Sequence, residues 1–200
     1  MNKIKNEKAS RINGLKMKRK NVRNISISKI NLGNSPKLAK LFDLAEPYLE
    51  KNDFGAGHTR RVLEIAKKHF QIPVEIKELV LAAIILHDVG GRSIREQYER
   101  GPRIAAELLK GLGYNEEFIE EVCRIIKRHH DRPKTPEELF KILYDSDHLV
   151  KFSKEEFEHY DSRQGFNWNT VIENLYHESS KILAIKLWKK RLTKAHNYQK

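Results

Sequence analysis

The chain has 200 residues, of which 39% are hydrophobic and 33% charged, with ten Gly, six Pro and one Cys. This length and apolar content allow one domain with its own core, and the single cysteine, Cys123, excludes a fold held by disulfides. No apolar run approaches the roughly 20 residues of a membrane span, and no apolar leader follows the N-terminal charges, so we expect a cytoplasmic protein without a membrane partner.

The first residues of the chain carry most of its charge. The formal net charge is +12, and residues 1–29 contain ten Lys or Arg against the single acid Glu7, which makes this stretch +9. Such a basic stretch favours a solvated, disordered tail, and its alternative role is binding RNA or another anionic surface. We therefore expect residues 1–34 to be a basic tail outside the functional core, and nucleic acid is not an expected partner.

The pattern from Ser35 onward is helical almost everywhere, and no alternating apolar run predicts a strand. Ser35 followed by Pro36 is typical of a helix start. Helices are expected at about 36–50, 57–70, 74–88, 103–112, 115–130, 136–150 and 168–194. The predicted fold class is therefore all-α.

We divide the helical part of the chain into a core and an extension. Residues 35–152 are expected to form a single-domain helical bundle, and residues 153–200 a C-terminal helical extension that packs on this core or makes a dimer. Ser153 and Glu156 match the S-x-x-E capping box, which predicts a helix start at the beginning of the extension. The sequence leaves monomer and homodimer open.

The most apolar predicted helix ends in two polar groups. Residues 74–88 contain the run LVLAAIIL, which is apolar on nearly every face and predicts a buried central helix. His87 and Asp88 follow this run in the expected last turn. A buried carboxylate needs a cationic partner or a metal, and a His-Asp pair offers nitrogen and oxygen ligands to a divalent ion. For this pair alone, a helix end with an incidental histidine is the alternative interpretation.

Histidines also lie on the inward faces of two other predicted helices. His58 begins the apolar stripe of the second helix, and Arg61 lies close to the same face. His129 and His130 end the helix before Pro133, and the spacing from its apolar residues indicates that one of them points inward. A histidine on an apolar face is more often a core residue than a ligand, so His58 by itself decides nothing.

Two aspartates lie on the helix predicted at 136–150. Asp147 lies on the stripe of Leu139 and Leu143, whereas Asp145 lies on a neighbouring stripe with Ile142. Carboxylates and histidines on the inward faces of separate helices are explained together by one metal site. Helical spacing leaves Asp145 and Asp147 as alternative members of that site.

The segments GHTRRV, LHDVG and DSDHL occur in this order on three predicted helices. Together they resemble the HD superfamily of metal-dependent phosphohydrolases over roughly residues 36–152. The resemblance implies that the metal ligands are His58, His87, Asp88 and Asp147, because the second aspartate of the family's D-x-D-x-L segment is the ligand. It implies a divalent ion, with Mn²⁺ favoured and Fe²⁺, Co²⁺, Ni²⁺ and Mg²⁺ as alternatives. Relatives with two metals usually carry a further His where this chain has QYERGPR, so we expect one ion.

The function implied by the resemblance is hydrolysis of a phosphate ester, with a nucleotide as the expected small-molecule partner, by a metal-activated water. Asp88 is expected to accept a proton from this water while also holding the metal. Arg61, Arg92, His129 and His130 are candidates for phosphate binding, since their donors suit phosphate oxygens. The alternative is a catalytically weak HD-fold protein that senses a nucleotide or associates with RNA through its basic tail.

Overall fold

The computed structural model describes residues 35–197, and every regular element in this part of the chain is a helix. The helices are α1 (Pro36–Leu49), α2 (Gly55–His69), α3 (Val74–Leu86), α4 (Ile94–Gly111), α5 (Glu116–Ile126), α6 (Glu138–Val150), α7 (Phe157–Asp161), α8 (Trp168–Asn174) and α9 (Glu178–Asn197). The predicted all-α class is confirmed. The predicted tail, residues 1–34, lies outside the described residues. Within residues 35–197, no helix combines the length and apolarity needed to cross a membrane.

Helix α3 is the centre of the bundle, as its apolar pattern predicted. Residues Val80–Leu86 are all buried, and the helix packs against α1, α2, α5 and α6. A helix that is apolar on every face is stabilised when neighbours remove every face from water. Helices α2 and α6 also pack on each other, so both border the region where α3 ends.

Helix α4 begins at Ile94 rather than near residue 103, where the prediction started it. Ser93 and Glu96 form a complete capping box at this start. The turn between α3 and α4 is tight, because a Cβ atom at Gly90 would lie 2.4 Å from the Cα atom of Gln97. Glycine at this position therefore allows α4 to approach closely and brings Gln97 beside the polar pair that follows α3.

The C-terminal helices enclose a second, smaller apolar cluster beside the main core. Its buried members are Leu149, Phe152, Phe157, Trp168, Ile172, Leu175 and Ala184. The helix predicted over 168–194 is in fact two helices, because the backbone at Leu175 is extended (ψ 142°) and ends α8.

The predicted capping box at Ser153 and Glu156 is wrong. Helix α7 begins at Phe157, and Glu156 makes no side-chain capping hydrogen bond. The reason is that the Glu156 carboxylate is buried and bound by groups of α2. The division of the chain into a core and an extension at residue 152 stays a prediction.

Candidate metal centre

Four polar side chains from α2, α6 and the turn after α3 meet inside the bundle. We call His58, His87, Asp88 and Asp147 the primary cluster. The Nε2 atom of His58 lies 2.9 Å from Oδ1 of Asp147, 3.3 Å from Nε2 of His87 and 3.8 Å from Oδ2 of Asp88. Potential ligand atoms of His58, His87 and Asp88 all lie within 4.8 Å of one another. The structure thus brings together the four residues that the resemblance implied, although α3 ends at Leu86, one residue before His87.

Three buried histidines keep their Nε2 atoms available because their Nδ1 atoms are bound elsewhere. The Nδ1 atom of His58 lies 3.1 Å from an oxygen of Glu156. His87 and His129 each place Nδ1 against the backbone carbonyl three residues earlier, at 2.8 Å and 2.6 Å. Carbonyl and carboxylate oxygens only accept, so in each case Nδ1 carries a proton, and Nε2 can bind a metal ion once the ring holds no second proton. Metal-binding histidines in proteins show this same arrangement.

The electrostatics of the primary cluster favour a bound cation. Burial opposes protonation of His58, but hydrogen bonds to Asp147 and Glu156 outweigh it and raise the pKa of His58 to about 10. Burial likewise favours neutral carboxyl groups, yet the pKa of Asp88 is lowered by His87 and that of Asp147 by Lys151 and the histidines. Both carboxylates are therefore charged near neutral pH. Without another cation the site takes up a proton, and a metal ion would compete for the same position.

A second group of possible ligands adjoins the primary cluster and shares Asp88 with it. Potential ligand atoms of Asp88, His129 and His130 lie within 4.8 Å of one another. The Nε2 atom of His129 is buried and has no hydrogen-bond partner among the described residues, and it lies 3.5 Å from Oδ1 of Asp88. A bound metal ion would give this buried nitrogen the partner that it lacks. The residues therefore fit a divalent ion, and the number of ions stays a prediction.

Gln97 links the two halves of this second group. Its Nε2 atom donates to Oδ1 of Asp88 at 2.8 Å, and its Oε1 atom accepts from Nε2 of His130. Burial and the neighbouring His129 lower the pKa of His130 to about 3, so this imidazole is neutral. The amide of Gln97 thus occupies the hydrogen-bonding positions between Asp88 and His130.

The two arginines predicted to bind phosphate are paired with carboxylates. Arg61 donates to Glu156 through Nε at 3.1 Å and also through Nη2. The side chain of Arg92 is 73% exposed and its Nε lies 2.6 Å from Asp53. Neither guanidinium pairs with a carboxylate of the primary cluster, and a role of either in substrate binding stays a prediction.

Asp145, the alternative to Asp147, has a different set of partners. It is fully buried and accepts hydrogen bonds from the backbone N–H groups of Tyr176 and His177, at 2.8 and 2.9 Å, and from Nδ1 of His177 at 2.7 Å. The other ring nitrogen of His177 lies 2.8 Å from Glu138. Asp145 therefore joins α6 to the start of α9, whereas Asp147 faces the histidines.

Two charged groups beside the primary cluster were not predicted from the sequence. The Nζ atom of Lys151 lies 3.7 Å from Oδ2 of Asp147, and its side chain is only 14% exposed. Its i,i+4 spacing from Asp147 is a signal that could have identified it. Glu156, by contrast, lies 98 residues after His58, and no local pattern connects them.

Comparison with known proteins is consistent with this geometry. The family model described as HD domain matches residues 55–163, which is more than half of the chain. The matched range begins before His58 and ends after Glu156, so it contains the whole primary cluster. No curated protein and no solved structure matches the chain.

Proposed function

Since the chain belongs to the HD-domain family, we propose that it is a metal-dependent phosphohydrolase that cleaves a phosphate ester, with a nucleotide as the favoured substrate. HD domains bind divalent metals and are generally hydrolases. The observation that carries the proposal is the primary cluster, in which two charged carboxylates and two histidine Nε2 atoms converge in a buried position. His58, His87, Asp88 and Asp147 would hold one divalent ion, with Mn²⁺ favoured. When bound, such an ion lowers the pKa of a water molecule and stabilises negative charge on the phosphoryl group.

The chain's own residues would supply proton transfer and phosphate binding. Asp88 is our candidate to accept the proton of the attacking water, because Gln97 holds its Oδ1 atom and fixes the carboxylate against the histidines. Lys151 provides a positive charge beside Asp147 that suits a phosphate oxygen. His129 and His130 border the same space and remain candidates for substrate contact.

The proposal is tested by turnover of phosphate compounds. The purified chain would be incubated with nucleotides and with chromogenic phosphomonoesters and phosphodiesters, in the presence of Mn²⁺, Co²⁺, Ni²⁺ or Mg²⁺. We expect hydrolysis that chelation abolishes and that Asp88→Asn reduces strongly, since the amide keeps the shape but loses charge and basicity. If the chain binds nucleotides but hydrolyses none of these compounds with any of these metals, the result would contradict the proposed enzyme activity. It would favour the alternative, a catalytically weak nucleotide sensor.

A further inference from the structure

Glu156 is a buried carboxylate that touches a proposed metal ligand. Its side chain has 0% exposure, and its two oxygens lie 3.1 and 3.3 Å from Nδ1 of His58. Arg61 donates to the same carboxylate from Nε at 3.1 Å and from Nη2. His58 and Arg61 lie about one turn apart on α2, so two side chains of this helix donate hydrogen bonds to the same carboxylate.

We infer that Glu156 is a positioning residue for His58 and that Arg61 holds the Glu156 carboxylate in place through hydrogen bonds. This inference rests on the proposed function, because it assigns His58 to a metal ion. A carboxylate accepts but does not donate, so Glu156 keeps a proton on Nδ1. The proton that Nε2 shares with Asp147 in the metal-free site is then the one that a metal ion would replace. Glu156 also fixes the orientation of the ring and increases the basicity of Nε2 as a ligand.

The hydrogen-bond pattern distinguishes this role from a simple ion pair. An ion pair between Arg61 and Glu156 would by itself explain why the carboxylate is buried. However, Nδ1 of His58 lies 3.1 Å from Oε1, the oxygen that both nitrogens of Arg61 bind, and 3.3 Å from Oε2. The carboxylate is therefore shared between its counter-ion and the histidine, and the segment that follows α6 is part of the metal centre.

The test measures Mn²⁺ affinity by competition with a fluorescent chelator, and the stability of the metal-free protein by urea unfolding. In Glu156→Gln the side chain keeps its shape but loses its charge. We expect its Mn²⁺ affinity to fall by about tenfold or more, within the range of about 10 to 100-fold typical for lost partners of metal ligands. Glu155→Gln is the matched control, because Glu155 is exposed and, among the residues that the structure describes, pairs only with Lys154, so Mn²⁺ affinity should not change.

A double variant separates positioning from stability. Arg61→Met combined with Glu156→Gln removes both charges of the pair, which should restore much of the stability that Glu156→Gln alone loses. If Glu156 positions His58, the double variant keeps the low Mn²⁺ affinity although its metal-free form is stable again. If the pair is only structural, Mn²⁺ affinity returns together with stability, and the inference is overturned.

The outcomes for this inference and for the proposed function are distinct. If the wild-type protein binds Mn²⁺ but hydrolyses no phosphate compound, the proposed phosphohydrolase activity is contradicted. The inferred role of Glu156 in metal binding is then unaffected. Equal Mn²⁺ affinity in wild type and Glu156→Gln, or no Mn²⁺ binding by the wild type, would overturn the inference whatever the turnover.

Discussion

Replacing Asp145 and Asp147 separately by alanine should distinguish a structural carboxylate from a metal ligand on the same helix. Asp145 accepts three hydrogen bonds from Tyr176 and His177. Asp147 lies against His58 and Lys151. We therefore expect Asp145→Ala to destabilise the fold without changing metal affinity, and Asp147→Ala to lose the metal.

The expected magnitudes follow from the partners that each carboxylate leaves behind. Without Asp145, two backbone N–H groups and the Nδ1 atom of His177 lose their acceptor. An unsatisfied donor costs about 1–3 kcal/mol when it is fully buried, and less where water reaches it, as at the partly exposed His177. Removing one partner of a buried charged network typically costs about 3–5 kcal/mol, so we expect the free energy of unfolding of Asp145→Ala to fall by about that amount. Asp147→Ala removes a proposed direct ligand of the metal. Its decrease in Mn²⁺ affinity should therefore exceed the roughly 10 to 100-fold decrease seen when only a hydrogen-bond partner of a ligand is lost.

The assay compares both variants with wild type in two conditions. Urea unfolding with excess chelator gives the stability of the metal-free protein, and chelator competition under conditions where all three proteins are folded gives the Mn²⁺ affinity. If Asp145→Ala loses Mn²⁺ at unchanged stability, or if Asp147→Ala keeps wild-type affinity, the assignment of the two aspartates is wrong.

Three further predictions concern the metal count, the tail and the start of α9. Elemental analysis should find close to one metal equivalent per chain, and two equivalents, with the second lost in His130→Ala, would contradict this. Deletion of residues 1–29 should leave turnover within a few-fold, and loss of most metal would mean that the tail contributes to the site. Burial opposes protonation of His177, but hydrogen bonds to Glu138 and Asp145 outweigh burial and raise the pKa of His177. The protonated ring therefore stabilises the fold fully below the ordinary histidine pKa, and this stabilisation is lost as pH rises through the raised pKa of the folded protein. Urea unfolding of His177→Gln should therefore show a larger loss at about pH 5.5 than at about pH 9, and equal losses would refute this reasoning.

The fold class and the central helix were predictable from the sequence because both depend on local patterns. The start of α1 is an example, since Ser35 accepts from the backbone N–H of Leu38 as the Ser-Pro pair indicated. The run before His87 is apolar on all faces, and such a helix has no stable position except the interior. The grouping of His58 with the His87–Asp88 pair was likewise accessible, because the resemblance rests on short segments in a fixed order.

Tertiary structure decided which distant groups complete the site. Asp145 and Asp147 differ by about 200° around their helix, but which face meets His58 depends on how α2 packs on α6, which helical spacing alone could not determine. Gln97 reaches Asp88 only because Gly90 lets α4 approach closely. Glu156 matched a capping box in the sequence, yet it contacts a histidine 98 residues earlier. A local hydrogen bond and a long-range one use the same donors and acceptors, so only the packed chain determines which partner a buried carboxylate takes.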